Sequence, residues 1–258
     1  MHLEGKTAIV TGAARGIGRI TATRIAERGV SVAVLDRDLD SGAGYEDEPP
    51  GTTMDEIGAI GIQADLTDER EARRAVEEAV SALGRLDFLV NVAGGAITPY
   101  AQSRPSITPT DHVRTLFDVN FMTMLHCCQA AIPALRVTQG AIVNFSSTAA
   151  TSVFPDGSNS AYAAVKAALA HFTRHLAAEL GPDGIRVNAV APGITLTGRL
   201  LAESKDTGYA ERAAEVPLRR LGTPDDVAKV VELLIDERSG FVTGRSIPVD
   251  GGWVLCPS

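Results

Sequence analysis

The feature that ties this chain most firmly to one kind of fold is a short one. Thr7-Ala8-Ile9-Val10 is followed at once by Thr11-Gly12-Ala13-Ala14-Arg15-Gly16-Ile17-Gly18, and then by a helical pattern through Ile20, Ile25 and Ala26 that ends near Gly29. A brief apolar run without alternation is what a strand buried on both faces looks like, and such strands belong to parallel sheets covered by helices on each side. Glycines at a strand-to-helix turn let the backbone approach a pyrophosphate, while the helix N-terminus supplies amide donors and a favourable dipole. The spacing is Gly-x-x-x-Gly-x-Gly, not the commoner Gly-x-Gly-x-x-Gly, so Gly12, Arg15, Gly16, Ile17 and Gly18 form a candidate dinucleotide turn in chemistry if not in letter.

The rest of the chain keeps the same alternation. Ser31-Val32-Ala33-Val34-Leu35 reads as a strand ending in Asp36, about 20 residues past the glycines, where a carboxylate can accept hydrogen bonds from both ribose hydroxyls. It would repel a 2′-phosphate, which favours NAD over NADP; Arg15 and Arg37 are the side chains that could instead reach such a phosphate. Residues 38–58, rich in Asp, Gly and Pro, disfavour a regular crossover helix and read as an irregular, mobile rim. Ala59 to Gln63 is a third strand, closed by Asp65-Leu66, and Thr67 or Asp68 caps a helix running to about Leu83.

Leu86 to Val90 is a fourth strand, leading into Asn91-Val92-Ala93-Gly94, where the absent side chain of Gly94 would let a dinucleotide lie across the sheet. A long helix to about Leu135 should carry Asp118 and Asn120, with Val113, Leu116 and Phe117 on its apolar face and Met122, Met124, Cys127 and Cys128 as packing. Ala141 to Phe145 is a strand, Ser160 to Leu180 a helix stopped by Gly181-Pro182, and Ile185 to Val190 a strand broken by Pro192-Gly193. Residues 194–216, with Leu196, Leu200, Leu201 and Tyr209, suit a lid; Thr223-Pro224 then caps a last helix before a strand at Arg245 to Val249. The expectation is one α/β domain over residues 1–258, a doubly wound parallel sheet of about seven strands with helices on both faces.

Charge and composition exclude several function classes. A net charge of −8 argues against a general nucleic-acid surface, which needs clustered Lys and Arg. The three cysteines, two of them adjacent at Cys127-Cys128, offer neither a disulfide framework nor a metal-ligand spacing, so no metal is expected and a reducing cytoplasm fits best. Met1 to Lys6 leaves no room for an export signal before the first strand, and no run approaches the ~20 apolar residues of a membrane span.

The chemistry gathers around Ser147, Tyr162 and Lys166. Tyr162 and Lys166 lie four apart on a predicted helix and therefore share a face. An ammonium beside a phenol favours the phenolate, and such a tyrosine can serve as general acid or base toward an alcohol or carbonyl oxygen. Ser147, at the end of the preceding strand, can hydrogen-bond the same oxygen.

Taken in order, Thr11-Gly12-x-x-x-Gly16-Ile17-Gly18, Asp65, Asn91-Val92-Ala93-Gly94, Asn120, Ser147, Tyr162-x-x-x-Lys166, Asn188, Pro192-Gly193 and Val249-Asp250-Gly251-Gly252 make the chain resemble a classical short-chain dehydrogenase/reductase along essentially its whole length. The resemblance implies a Rossmann-type fold, an NAD cofactor (NADP being the lesser alternative), a small-molecule substrate, and a homotetramer built through the long helices. It implies a tetrad of Asn120, Ser147, Tyr162 and Lys166. Tyr162 exchanges the proton, Ser147 positions the substrate oxygen, Lys166 lowers the Tyr162 pKa and holds the nicotinamide ribose, and Asn120 anchors a water leading to solvent. It assigns the cofactor to Asp36, Asp65, Leu66, Asn91, Ala93, Gly94, Pro192, Gly193, Thr195 and Thr197 besides the glycine turn, and the substrate to Ser147, Tyr162, Gly193, Leu196 and Leu200. Val92 and Thr195 depart from the family pattern, and the loop between Ser147 and Tyr162, with Phe154 and Pro155, is longer than usual and should reshape the substrate pocket. The expected reaction interconverts a secondary alcohol and a ketone on a small apolar or cyclic substrate. Rival readings are an NADP-dependent 3-oxoacyl-thioester reductase, for which Arg136 and Arg174 would dock a carrier, and a cofactor-binding regulator without turnover.

Overall fold

The computed structural model describes residues 3–44, 51–203 and 208–254. Seven strands, β1 (Thr7–Thr11), β2 (Ser31–Asp36), β3 (Ile60–Gln63), β4 (Phe88–Asn91), β5 (Ala141–Phe145), β6 (Arg186–Pro192) and β7 (Ser246–Val249), form one sheet in the order β3-β2-β1-β4-β5-β6-β7, and every pairing is parallel. The helices are α1 (Gly16–Ala26), α2 (Thr53–Ile57), α3 (Glu69–Leu83), α4 (Thr110–Phe117), α5 (Thr123–Thr138), α6 (Ser160–Leu180), α7 (Gly198–Glu203), α8 (Tyr209–Glu215) and α9 (Pro224–Ile235).

Strand side chains alternate between two cores. Ala8, Val10, Val32, Val34, Val90 and Val143 pack under α1 and α9, whereas Ile9, Ala33, Leu35, Leu89, Ile142 and Val187 pack under α3, α5 and α6. Burial on both faces is why these strands read as unbroken apolar runs. Each Val, Leu or Ile so enclosed is worth about 1.5–3 kcal/mol of transfer free energy. Helix starts are held by side chains: the Asp68 carboxylate accepts from the amides of Arg70 and Glu71, and Thr223 forms a reciprocal box with Asp226 after which Pro224 opens α9. Among the described residues no helix is long and apolar enough to cross a membrane, and no group of three or more His, Cys, Asp or Glu could hold a metal ion.

Three expectations need correction. The rim at 38–58 is not irregular throughout: a 3-10 turn occupies Ser41–Gly44 and α2 occupies Thr53–Ile57, while residues 45–50 lie outside the described residues. Thr52 and Asp55 close a capping box at the start of α2, and Arg19, fully buried, reaches up to Glu56 at 2.9 Å and to the Gly51 carbonyl at 3.0 Å. The long helix to Leu135 is in fact α4 and α5, joined by a π-helical turn at Asp118–Met122, and it runs on to Thr138. On α4 only Leu116 of the three expected apolar positions is enclosed, since Val113 and Phe117 are each 38% exposed. Met124, Cys127 and Cys128 are core, and burial pushes both thiols far above the usual range, which makes them inert packing.

Candidate active site

Strand order reverses between β1 and β4, so their following loops diverge and leave a crevice at the carboxyl edge, the place where open parallel sheets take ligands. The β1–α1 turn lies against the loop after β4. A Cβ on Gly12, which has φ +64°, would stand 2.7 Å from Ala93 Cα, and one on Gly18 would stand 2.1 Å from the Gly12 carbonyl oxygen. These glycines therefore let the turn close tightly, bringing Ile17 and the first amides of α1 up to the crevice. Arg15 at the cap position has no side-chain acceptor to offer that first turn. Asp36, half-buried at the end of β2, accepts from the Ala14 amide at 3.1 Å, which sets its carboxylate beside the turn. Asp65 accepts from Thr67 through both its amide (3.0 Å) and its hydroxyl (2.7 Å), and these bonds hold its carboxyl below the usual range, with a smaller contribution from the exposed Arg37. A tight glycine cradle at a helix N-terminus with a carboxylate fixed at its rim fits a dinucleotide: the turn would take the pyrophosphate and Asp36 the adenosine ribose.

Gly94 makes room for a buried neighbour. A Cβ there would lie 2.5 Å from Asn120 Oδ1, so its missing side chain admits Asn120. Asn120 sits fully buried in the π-turn, a widened stretch of helix often found at functional sites. Its Oδ1 accepts from the Gly95 amide at 2.9 Å, and its Nδ2 donates to the carbonyls of Gly95 (3.1 Å) and Leu116 (2.9 Å). Both Nδ2 hydrogens are thus spent within the protein, while Oδ1 accepts one bond.

Ser147, two residues past β5, accepts from the Ala149 amide at 3.2 Å, and its hydroxyl favours the Tyr162 phenolate. The neighbouring Ser146 turns the other way and donates to the Lys166 carbonyl at 3.0 Å. Lys166, 4% exposed, donates from Nζ to the Phe145 carbonyl at 2.6 Å and stands over the Tyr162 ring, 5.7 Å from its centroid. Burial pushes the Lys166 ammonium down to about 7. Burial also pushes the Tyr162 phenol up, against the Ser147 hydrogen bond and the charge of Arg199, both of which favour the phenolate.

Other expected residues fall into place unevenly. Pro192 and Gly193 close β6 at the same edge, and a Cβ on Gly193 would meet Asp250 Cβ at 2.8 Å. Thr195 is buried, bonded to the Gly193 carbonyl at 3.2 Å, and Thr197 accepts from the Leu200 amide at 3.4 Å as α7 begins. Asn91 is buried, and Nδ2 donates to Asn144 Oδ1 at 2.9 Å, bracing β4 against β5, while its Oδ1 has no partner among the described residues. Leu66 is core, with its carbonyl 3.2 Å from His126 Nδ1. Asn188 likewise ties β6 to the chain before β7 through the Val242 carbonyl and the Arg245 amide.

The hollow nearest Tyr162 is walled by Ala96, Thr98, Ser103, Thr108, Leu116 and Asn159. Beside it a cavity of about 220 Å³ lies between Pro105, the 149–160 loop and Ala163 of α6, with Phe154 and Val153 on its wall. Leu196 and Leu200 line neither, so the long loop shapes the cavity more than those two lid leucines do. That loop is pinned: Tyr100 donates to Asp156 at 3.1 Å, Ser103 accepts from the Asn159 amide at 3.0 Å, and Phe154 packs on Trp253 with centroids 6.1 Å apart. Arg199 on α7, which sequence reasoning passed over, donates to the Ala96 carbonyl at 3.2 Å. A lone Arg two residues after Thr197 carries no signal of its own.

Residues 12–254 match the family model described as enoyl-(acyl carrier protein) reductase. Cyclohexanol dehydrogenase of Rhodococcus sp. is 44% identical, with 98% of this chain and 97% of the relative covered. A 3-oxoacyl-[acyl-carrier-protein] reductase of Staphylococcus aureus is 37% identical over 97% of this chain and 98% of its own. Among solved structures, a short-chain type dehydrogenase/reductase from Mycobacterium ulcerans superposes with a TM-score of 0.88 at 29% identity, covering 99% of this chain and 92% of that one. A parallel sheet in this order, a glycine turn at its switch point and likeness along nearly the full length lead to one conclusion: the chain belongs to the classical short-chain dehydrogenase/reductase family of oxidoreductases.

Proposed function

We propose that this protein is an NAD-dependent dehydrogenase that interconverts a small cyclic or otherwise apolar secondary alcohol and its ketone. The observation that carries this reading is Lys166 buried over the Tyr162 ring, 5.7 Å from its centroid, with a cavity of about 220 Å³ nearby between Pro105, the 149–160 loop and Ala163. NAD, when bound, supplies the hydride acceptor for the alcohol carbon. Tyr162 takes the alcohol proton in oxidation and returns it in reduction, and Ser147 holds the substrate oxygen against it. Lys166 receives the nicotinamide ribose and adds a buried cation behind the phenol. The glycine turn of Gly12, Gly16 and Gly18 takes the pyrophosphate, Asp36 the adenosine ribose, and Asp65 the adenine side.

The cyclohexanol dehydrogenase likeness supports a cyclic alcohol, and the carboxylate of Asp36 beside the turn supports NAD. For the rival thioester reductase, Arg136 is a poor carrier contact, because Asp183 holds it at 2.8 Å. The test is a screen of cyclic, aryl and sugar-like alcohols, following NADH absorbance. Turnover of a cyclic secondary alcohol with NAD is the expected result, and a preference for NADP with 3-oxoacyl thioesters would overturn the proposal. The same reading includes a homotetramer, which light scattering would show as four chains per particle.

A further inference from the structure

The hollow beside Tyr162 and the cavity next to it have one residue in common. Asn159, at the start of α6 with φ +58°, belongs to the walls of both. Its backbone is committed: the amide donates to the Ser103 hydroxyl at 3.0 Å, and the carbonyl accepts from the Ala163 amide at 2.9 Å. Its carboxamide makes no cap bond to α6 and has no hydrogen-bond partner among the described residues. Asparagine tolerates left-handed backbone because its short side chain can bond locally, yet here that bonding capacity is unused by the turn.

Most other hydroxyls on the two walls donate within the protein. Ser152 donates to the Thr148 carbonyl at 3.0 Å, Ser158 to the Asp156 carboxylate at 2.7 Å, and Ser160 to the Ser103 carbonyl at 3.1 Å. Ser103 donates to the Tyr100 carbonyl and Thr108 to the Arg104 carbonyl, each at 2.7 Å. Thr98 is the exception, for its hydroxyl oxygen is enclosed and has no partner among the described residues. Buried polar groups are almost always paired, and an unpaired one beside a reacting side chain marks a place for a polar atom from outside the protein. Thr98 and Asn159 thus share the wall of one hollow with Tyr162 and keep hydrogen-bonding capacity that the fold does not use. Among the described residues no charged side chain lines either space, so nothing there would compensate a charge on the ligand.

We propose that Thr98 and Asn159 are specificity-determining residues that bind a second, uncharged oxygen of the substrate, so that the preferred substrate is a cyclic secondary alcohol carrying a further hydroxyl or keto group. This rests on the dehydrogenase reading of Tyr162 and narrows its substrate class. A carboxamide and a hydroxyl each donate and accept, so together they match that oxygen in either form. Pro105, Phe154 and Ala163 offer the ring carbons an apolar wall in the neighbouring cavity. At about 220 Å³ that cavity is smaller than the roughly 300–1,000 Å³ of sites for drug-sized ligands, which keeps the substrate small.

The experiment compares cyclohexanol with cyclohexanediols of each spacing in dinucleotide-loaded wild type, Asn159→Gly and Thr98→Val. Glycine accepts left-handed backbone without strain and valine keeps the shape of threonine, and thermal melts check that both variants fold. Two quantities are read for each alcohol: kcat/KM with NAD, and Kd for the NADH complex in a Tyr162→Phe background, followed by nicotinamide fluorescence without turnover. Wild type should favour at least one diol over cyclohexanol by about tenfold, and each variant should cut that preference roughly threefold to tenfold in both quantities, the worth of one hydrogen bond. A wild type that favours cyclohexanol over every diol, or a preference that either variant leaves unchanged, would overturn the inference. A diol preference seen in Kd with no turnover of any alcohol would support the second-oxygen site while contradicting the reaction assigned to Tyr162.

Discussion

Lys166 stands over the face of the Tyr162 ring, 5.7 Å from its centroid, and spends its hydrogen bond on the Phe145 carbonyl. Without a ligand the ammonium is buried and its pKa falls to about 7 from an ordinary 10.5. The sign of the consequence follows from proton counting: between about pH 7 and 10.5 the unfolded chain binds a proton there that the folded chain does not, so stability rises with pH across that window. The slope from this one group is at most about 1.4 kcal/mol per pH unit. Lys166→Met should remove that rise; urea unfolding of the cofactor-free protein at several pH values would measure it, and equal slopes in the two proteins would contradict the burial argument.

Cofactor choice should follow Asp36. Its carboxylate is fixed by the Ala14 amide at the edge of the glycine turn, where a 2′-phosphate would face it. Replacing Asp36 by Ser removes the repulsion and leaves Arg15 and Arg37 nearby, so the NAD over NADP ratio of kcat/KM should fall at least about tenfold. Initial rates with both dinucleotides measure it, and an unchanged ratio would remove Asp36 from the recognition site.

Close packing of the turn makes a sharper prediction. A Cβ on Gly18 would sit 2.1 Å from the Gly12 carbonyl oxygen, whereas a Cβ on Gly84 would meet no atom within 4 Å and face only the strain of φ +76°. Gly18→Ala should therefore cost about 1–3 kcal/mol of stability and weaken dinucleotide binding too, because the turn must open. Gly84→Ala should cost about 1–2 kcal/mol and leave binding alone. Thermal melts paired with dinucleotide titration separate the two effects.

Much of this architecture was legible because buried parallel strands announce themselves as short apolar runs. Thr7 to Val10, Ser31 to Asp36 and Ala141 to Phe145 all stand where the pattern put them, and so do the start of α6 at Ser160 and the Thr223-Pro224 cap. What escaped depends on contacts between distant segments. The π-turn around Asn120 has helical periodicity on both sides and no local sequence mark. α2 follows a Pro- and Gly-rich stretch and is stabilised from below by Arg19, 37 residues before Glu56. The bonds that Asn91 Nδ2 makes to Asn144 and the Asn120 side chain makes to Gly95 join segments far apart in the chain. Arg199 reaches Ala96 across 103 residues of chain, a meeting that no spacing rule contains.

The most direct test replaces Tyr162 by Phe, keeping the ring on α6 and deleting only the hydroxyl. Loss of a positioned acid-base group should lower kcat by about 100- to 10,000-fold, while NADH binding followed by fluorescence stays near wild type. Turnover within a few-fold of wild type in that variant would show that some other group moves the proton.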